Sequence, residues 1–172
     1  MEKLSSLISA ESLETMRKFA MEVPEGPIVE VGVFMGGSAF VLQEVADERG
    51  LQLYLYDTFS GIPYKRDIDS HQIGDFGNGL SYEEAQDAFP RAFVTRCVFP
   101  KCDGIPDKIS FVHLDVDQWQ SYREALDCLI PRMRIGGMIL CDDYCLDGAK
   151  QAIDETPGNK QLLPDRRVLF RF

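Results

Sequence analysis

The most constraining feature of the chain is the stretch from Val29 to Ser38, which reads Val-Glu-Val-Gly-Val-Phe-Met-Gly-Gly-Ser. It begins as a short apolar run and ends in paired glycines, and a helical pattern follows at once from Ser38 to Arg49. A buried strand that passes through a glycine turn into a helix is how open α/β sheets form a ligand crevice. Glycines permit the tight turn and a close backbone approach, and the start of the helix offers unpaired N–H groups. An ordinary strand–helix turn without a ligand gives the same pattern, so the turn alone leaves both interpretations open.

Glu30 is the unusual residue of this stretch, because a carboxylate near the end of the strand would repel the phosphates of a dinucleotide. A ligand with an ammonium group would be attracted to it. The glycines also run Gly32-x-x-x-Gly36-Gly37, which differs from the G-x-G-x-x-G pattern of NAD-binding turns. Both observations favour a ligand other than a dinucleotide.

Composition and charge narrow the class of protein. The chain has 172 residues, 45% of them hydrophobic, which suits a single domain over residues 1–172 with one sizeable core. Its formal net charge of −10 argues against binding nucleic acid, which requires a basic face. The sequence shows no secretory signal and no membrane-length apolar run, and its five cysteines form neither a zinc-site spacing nor a complete disulfide set. We therefore expect a cytoplasmic protein that binds neither nucleic acid nor a membrane.

Hydrophobic periodicity predicts alternating helices and strands after an N-terminal helix within residues 1–23. The predicted strands are one that ends at the glycine turn, then Leu51–Tyr56, Ala92–Phe99, Ile109–Leu114, Met138–Cys141 and a hairpin over Leu162–Phe172. The predicted helices are Ser38–Arg49, Tyr82–Arg91 behind a capping box at Ser81, Ser121–Met133 closed by Gly136-Gly137, and Leu146–Glu155. This order predicts an α/β protein with a mostly parallel sheet, helices on both faces and one antiparallel strand.

The segment 64–80 is polar, carries glycines and His71, and shows no periodicity. Connections of this length are often binding loops or lids. We expect an active-site loop that is mobile without ligands and becomes ordered when they bind.

Acidic residues stand where each central strand is predicted to end: Glu30, Asp57, Asp115, Asp142 and Asp143. In a parallel sheet these ends share one rim. Any single acid there is explained by capping of the next helix, but five on one rim repel one another unless a cation or hydrogen-bond donors hold them. Asp57 follows Gly37 at the distance expected of an acid that binds ribose hydroxyls.

Taken together, these motifs resemble class I S-adenosylmethionine-dependent methyltransferases, and more closely the macrocin O-methyltransferase family. The resemblance covers residues 28–155 and rests on Glu30-x-Gly32-x-x-x-Gly36-Gly37-Ser38, Asp57-Thr58-Phe59-Ser60-Gly61-Ile62-Pro63, Gly74-Asp75-Phe76, Leu114-Asp115-Val116-Asp117 and Gly136-Gly137 with Asp142-Asp143-Tyr144. It implies a Rossmann-like seven-stranded sheet in the order 3-2-1-4-5-7-6, with an antiparallel C-terminal hairpin.

The resemblance also implies roles for individual residues. The residues that match the S-adenosylmethionine site are Glu30, Gly32, Phe34, Gly36, Gly37, Ser38, Asp57 and Asp115. Those that match the Mg²⁺ ligands of metal-dependent members are Asp115, Asp142 and Asp143. The position of the lysine base in the related catechol-type enzymes is occupied here by Gln118. The candidate bases are therefore Asp117 and His71, unless the reaction uses no dedicated base. Asp115 is a further candidate catalytic residue.

The predicted function is therefore Mg²⁺-assisted methyl transfer to a hydroxyl of a small molecule, such as a natural-product sugar or polyketide. Alternatives are an N-methyltransferase without metal and a nucleoside- or dinucleotide-binding module without activity. The chain offers little N-terminal segment to cover the acceptor, so we expect either an open pocket or one completed by a neighbouring subunit of a homo-oligomer. His113, in a predicted buried strand, is interpreted as a core histidine.

Overall fold

The computed structural model describes residues 6–172 and contains one seven-stranded sheet with helices on both faces. The strands are β1 Ile28–Val31, β2 Leu53–Asp57, β3 Phe93–Arg96, β4 Ile109–Leu114, β5 Met133–Cys141, β6 Lys160–Leu162 and β7 Val168–Arg171. The helices are α1 Ala10–Glu22, α2 Gly37–Arg49, α3 Tyr82–Ala88, α4 Trp119–Leu129 and α5 Asp147–Glu155.

The strand order is β3-β2-β1-β4-β5-β7-β6, and the first five of these strands are parallel. Strand β7 runs antiparallel to both β5 and β6. The predicted fold class and strand order are therefore confirmed. In this order β1 lies at the centre of the five parallel strands. Strands β2 and β3 follow on one side of β1, and β4 and β5 on the other, so the strand order switches between β1 and β4, which is where such sheets open a crevice.

Two layers of apolar side chains cover the sheet, one beneath α1 and α2 and the other beneath α4 and α5. Every residue of β1 and β4 is buried, because helices cover both faces of these central strands. This packing fixes the carboxyl ends of β1 and β4, where the candidate site lies.

Several predicted boundaries shift, and prolines explain two of the shifts. Helix α3 ends at Ala88, before Pro90, and α4 ends at Leu129 in a 3₁₀ turn over Ile130–Arg132 that contains Pro131. The prediction that Gly136-Gly137 closes α4 was wrong. Both glycines lie within β5, where the pairing with β4 shifts register and Gly136 has φ +82°.

At the N-terminal end, α1 begins at Ala10 behind a Ser9 cap, and the predicted helical positions 1–5 lie outside the described residues. Among residues 6–172, no helix combines the length and apolar character needed to cross a bilayer.

Candidate active site

A cavity of about 260 Å³ opens at the carboxyl ends of β1, β2, β4 and β5. The predicted site residues that line it are Gly32, Phe34, Gly37, Ser38, Asp57, Asp115, Asp117, Asp142 and Asp143. Glu30, Gly36 and His71 are outside the lining. The sheet therefore brings most of the predicted acids and the glycine turn to one space.

The glycine turn depends on the missing side chain of Gly32. This residue has φ +92°, and a Cβ built on it would lie 1.8 Å from the carbonyl oxygen of Asp115. Gly36 also has a left-handed conformation, donates its N–H to the carbonyl of Val33 at 2.8 Å and precedes the first residue of α2. The glycines thus let the β1 and β4 ends approach closely and aim α2 at the cavity.

Asp57 braces this turn through its carboxylate. One oxygen accepts hydrogen bonds from the N–H groups of Val33 at 2.6 Å and Phe34 at 3.1 Å. The other accepts the N–H of Phe59 at 2.7 Å. Asp57 therefore joins the β1 and β2 turns, and its predicted contact with ribose stays a prediction.

Glu30 is placed differently from the expectation that it meets an ammonium group directly. Its side chain is fully buried, and Oε1 lies 2.8 Å from Nδ1 of His113, which is also fully buried. The reason is register, because Glu30 and His113 face each other on neighbouring strands of the central sheet. The polar partner of Glu30 is thus inside the sheet.

The acids of β4 and β5 form a cluster in the cavity. Oxygens of Asp115, Asp117 and Asp143 all lie within 4.8 Å of one another. The other predicted metal ligand, Asp142, lines the same cavity but falls outside this group of three. Its Oδ1 lies 3.7 Å from Nε2 of His113.

Asp143 is the most firmly held of these acids. Its Oδ2 accepts the N–H groups of Val116 at 3.1 Å and Asp117 at 2.9 Å, and the hydroxyl of Tyr122 at 2.9 Å. These bonds tie β5 to the turn between β4 and α4. Tyr122 is fully buried between α4 and the sheet.

Burial and mutual repulsion disfavour the ionised forms of the cluster. Burial, and to a smaller extent repulsion by Asp143 and Asp142, raises the pKa of Asp115 well above its ordinary value. The same causes raise the pKa of Asp117 to about 8. Burial and Asp142 also raise the pKa of Asp143, although its hydrogen bonds oppose this. Hard carboxylate oxygens gathered in this way suit a divalent cation such as Mg²⁺, which would relieve the repulsion.

His71 joins this end of the cavity from the loop 64–80. Its Nε2 lies 3.8 Å from Oδ1 of Asp117, and its ring meets the edge of Phe76 at a centroid distance of 5.0 Å. The two candidate bases are thus neighbours. Phe76 and Asp117 have positive φ values of 64° and 60°, backbone conformations that are often found at functional sites.

The first half of this loop is anchored to the start of α4. The Asp69 side chain is buried and accepts the N–H groups of Trp119 and Arg66, at 2.9 and 2.8 Å. Oε1 of Gln118 accepts the N–H of Tyr64 at 3.2 Å, so the residue in the place of the catechol-type lysine has a structural contact. Sequence reasoning missed Asp69, because the groups it binds are backbone amides that leave no signal in the sequence.

Comparison with known proteins decides the family. The sequence profile of the macrocin O-methyltransferase (TylF) family matches residues 6–165, which is most of the chain. The chain belongs to the macrocin O-methyltransferase family.

Two curated proteins illustrate its relatives. The 8-demethyl-8-(2,3-dimethoxy-alpha-L-rhamnosyl)-tetracenomycin-C 4'-O-methyltransferase of Streptomyces olivaceus is 28% identical over an alignment of 153 positions, and the match covers 77% of this chain and 58% of that protein. The mycinamicin III 3''-O-methyltransferase of Micromonospora griseorubida is 24% identical over an alignment of 152 positions, and the match covers 76% of this chain and 59% of that protein. The chain thus spans under two thirds of the length of these two relatives.

The solved structure of the O-methyltransferase NovP has the same fold. It superposes with a TM-score of 0.77 at 22% identity, over 96% of this chain and 81% of that chain. The Rossmann-like sheet expected for the macrocin O-methyltransferase family is therefore present here.

Proposed function

We propose that this chain is an S-adenosylmethionine-dependent O-methyltransferase that acts, with Mg²⁺, on a hydroxyl of a natural-product sugar or polyketide. The observation that carries the proposal is one cavity with a glycine turn and a helix start on one wall and a cluster of carboxylates on another. Membership of the macrocin O-methyltransferase family supports the reaction. The rhamnosyl group in the name of the Streptomyces olivaceus relative supports a sugar as the acceptor.

The glycine turn and β2 would hold the cofactor. Gly37 and Ser38 line the cavity at the start of α2, where backbone N–H groups can bind the carboxylate of the methionine moiety. Asp57 lies across the same space and would accept hydrogen bonds from ribose hydroxyls. S-adenosylmethionine supplies the methyl group on its sulfonium, so the chain has to orient the acceptor in line with it.

Asp115, Asp142 and Asp143 would hold the cation. Oδ1 of Asp142 faces His113, and Oδ2 of Asp143 is occupied by hydrogen bonds, so each has one carboxylate oxygen left for a ligand. Mg²⁺ supplies a Lewis acid that makes a hydroxyl beside it more acidic.

Asp117 would take the proton of the acceptor hydroxyl. Its carboxylate lines the cavity within the cluster of acids, and a cation bound there would favour the ionised form that a base requires. His71, 3.8 Å away, is placed to receive this proton or to hold the carboxylate in position.

The reaction is tested by incubating the protein with methyl-labelled S-adenosylmethionine and a panel of neutral deoxyhexose glycosides. We expect labelled O-methyl product that EDTA abolishes and added Mg²⁺ restores. Full turnover in EDTA would remove the metal from the proposal. Label on an amine acceptor alone would favour the N-methyltransferase alternative.

Two matched variants separate the ligand role from the base role, because Asp117 and Asp142 are both cavity acids. We expect Asp142→Asn to lose Mg²⁺ affinity. We expect Asp117→Asn to keep most of that affinity and to lower kcat by about 10²–10⁴-fold, the range for a general base. The reverse pattern would show that Asp115, Asp117 and Asp143 are the ligands, and would pass the role of base to His71.

A further inference from the structure

Glu30 and His113 form a fully buried ion pair in the centre of the sheet, outside the cavity. Two polar side chains without solvent contact are costly inside an apolar core, and such a pair is often less stabilising than apolar residues of equal size. Its presence among the apolar side chains of β1 and β4 therefore calls for a role besides stability.

The free nitrogen of His113 points towards the active-site end of β5. His113 pairs in register with Leu140, and Asp142 follows Leu140 by two residues. The side chains of His113 and Asp142 therefore point to the same face of the sheet. Nε2 of His113 has no hydrogen-bond partner among the described residues, and it lies 3.7 Å from Oδ1 of Asp142. This oxygen is buried and is also unpaired within residues 6–172.

A second cation meets the same oxygen from the C-terminal hairpin. Nη1 of Arg167 lies 3.9 Å from Oδ1 of Asp142, and Arg167 is buried. The guanidinium is itself fixed, because Nε donates to Asp165 at 2.8 Å and Nη2 donates to the carbonyl of Ser12 at 2.8 Å. Oδ1 of Asp142 therefore lies between His113 and Arg167 at ion-pair distances that are longer than hydrogen bonds, and both side chains are fixed by other contacts.

Each ring nitrogen of His113 faces a carboxylate oxygen. Nδ1 faces a carboxylate oxygen of Glu30 and Nε2 faces one of Asp142, so both nitrogens are placed to donate.

We propose that Glu30 and His113 are positioning residues that, with Arg167, turn Asp142 so that its second oxygen faces the cavity. This inference rests on the proposed function, in which Asp142 holds the cation. It assigns to Glu30 a role through His113 and Asp142 in place of direct contact with the cofactor. Partners of this kind, one shell behind a metal ligand, commonly change metal affinity by 10–100-fold when they are replaced.

The test is calorimetric titration of Mg²⁺ into protein saturated with S-adenosylhomocysteine. We expect His113→Gln to weaken Mg²⁺ binding by about 10–100-fold while S-adenosylhomocysteine affinity changes by less than about twofold. Glu30→Gln keeps the shape and an acceptor oxygen, so it serves if His113→Gln does not fold, and we expect a loss in the same direction. Ser110→Ala is the matched control, because Ser110 is buried on the same strand but bonds to Gly26 and Pro27, at the other end of the sheet.

The outcomes are separable. Unchanged Mg²⁺ affinity in folded His113→Gln or Glu30→Gln would overturn the inference alone, as would an equal loss in Ser110→Ala or a parallel loss of S-adenosylhomocysteine affinity. The wild-type protein is titrated first. If it binds S-adenosylhomocysteine but no Mg²⁺, that result overturns both the proposed metal site and this inference before any variant is compared.

Discussion

Asp57 combines a structural role in two turns with a proposed role in cofactor binding. Its carboxylate already accepts three backbone N–H groups, those of Val33, Phe34 and Phe59. Such a carboxylate is held in one orientation, which lowers the entropy lost when a ligand binds to it.

We expect Asp57→Ala to weaken S-adenosylmethionine binding by about 1.5–3 kcal/mol, the range for a hydrogen bond to a charged group. It should also lower the thermal unfolding temperature, because the two turns lose their common acceptor. Calorimetry and thermal unfolding measure the two effects. Unchanged affinity would contradict the ribose assignment, whatever happens to stability.

Gly32 is the residue at which the turn tolerates least change, since a Cβ would overlap the Asp115 carbonyl. We expect Gly32→Ala to reduce the free energy of unfolding by about 3 kcal/mol or more, from strain and steric overlap together. Gly104→Ala is the matched control. Gly104 also has a positive φ, of +78°, but nothing lies within 4 Å of its Cβ position, so only backbone strain of about 1–2 kcal/mol is expected. Equal losses in denaturant unfolding would show that steric overlap at Gly32 has little effect.

Among the elements, the loop 64–80 has two halves with different contacts. Its predicted mobility stays a prediction, and its first half, residues 64–71, supports the start of α4. Asp69 takes the place of an N-cap for that helix, whose own N-cap residue, Gln118, makes no side-chain capping bond. The second half, residues 72–80, carries Phe76 over the cavity and is largely exposed.

We expect Asp69→Ala to lower the free energy of unfolding by about 1–2 kcal/mol, since the start of α4 loses its acceptor. Hydrogen exchange should become faster in residues 64–71 and in the first turn of α4. Ser81→Ala is the control, because it removes the capping box of α3 at a cost of about 1 kcal/mol without touching this loop. Unchanged exchange in residues 64–71 of Asp69→Ala would show that other contacts hold this half of the loop.

Elements defined by local chemistry were predicted well, and contacts between distant elements were not. Strand β4 was predicted to the residue, and the capping box at Ser81 was predicted with its Glu84 partner, because both depend on neighbours in sequence. The turning of Asp142 towards His113 depends on the register of β4 and β5. No spacing within the chain encodes that register.

At the scale of the whole molecule, buried acids make stability depend on pH. The pKa of Asp117 is raised from 3.8 to about 8, first by burial and then by Asp143. Between these values the folded chain keeps a proton that the unfolded chain has lost. The resulting stabilisation is complete below the lower value and disappears as the pH rises through the higher one.

We therefore expect the unfolding temperature of metal-free protein to fall between pH 5 and 8.5, by about 2–4 °C for each kcal/mol lost. Asp117→Asn, which cannot titrate, should give a shallower slope. Saturating Mg²⁺ should oppose the fall, because the cation favours the ionised acids. The measurement is thermal unfolding in EDTA and in Mg²⁺. A metal-free unfolding temperature that rises across this range would contradict the prediction.

The anchoring of the loop by Asp69 has a consequence for protein engineering. We expect the loop 64–80 to contribute to acceptor preference as well as to the support of α4. Exchanging all of residues 64–80 for the loop of another enzyme would then remove the cap of α4 along with the old specificity. A graft limited to residues 72–79 would leave Tyr64, Asp69 and their bonds to α4 intact. Libraries that vary this outer half should contain a higher fraction of folded proteins than libraries that vary the whole segment.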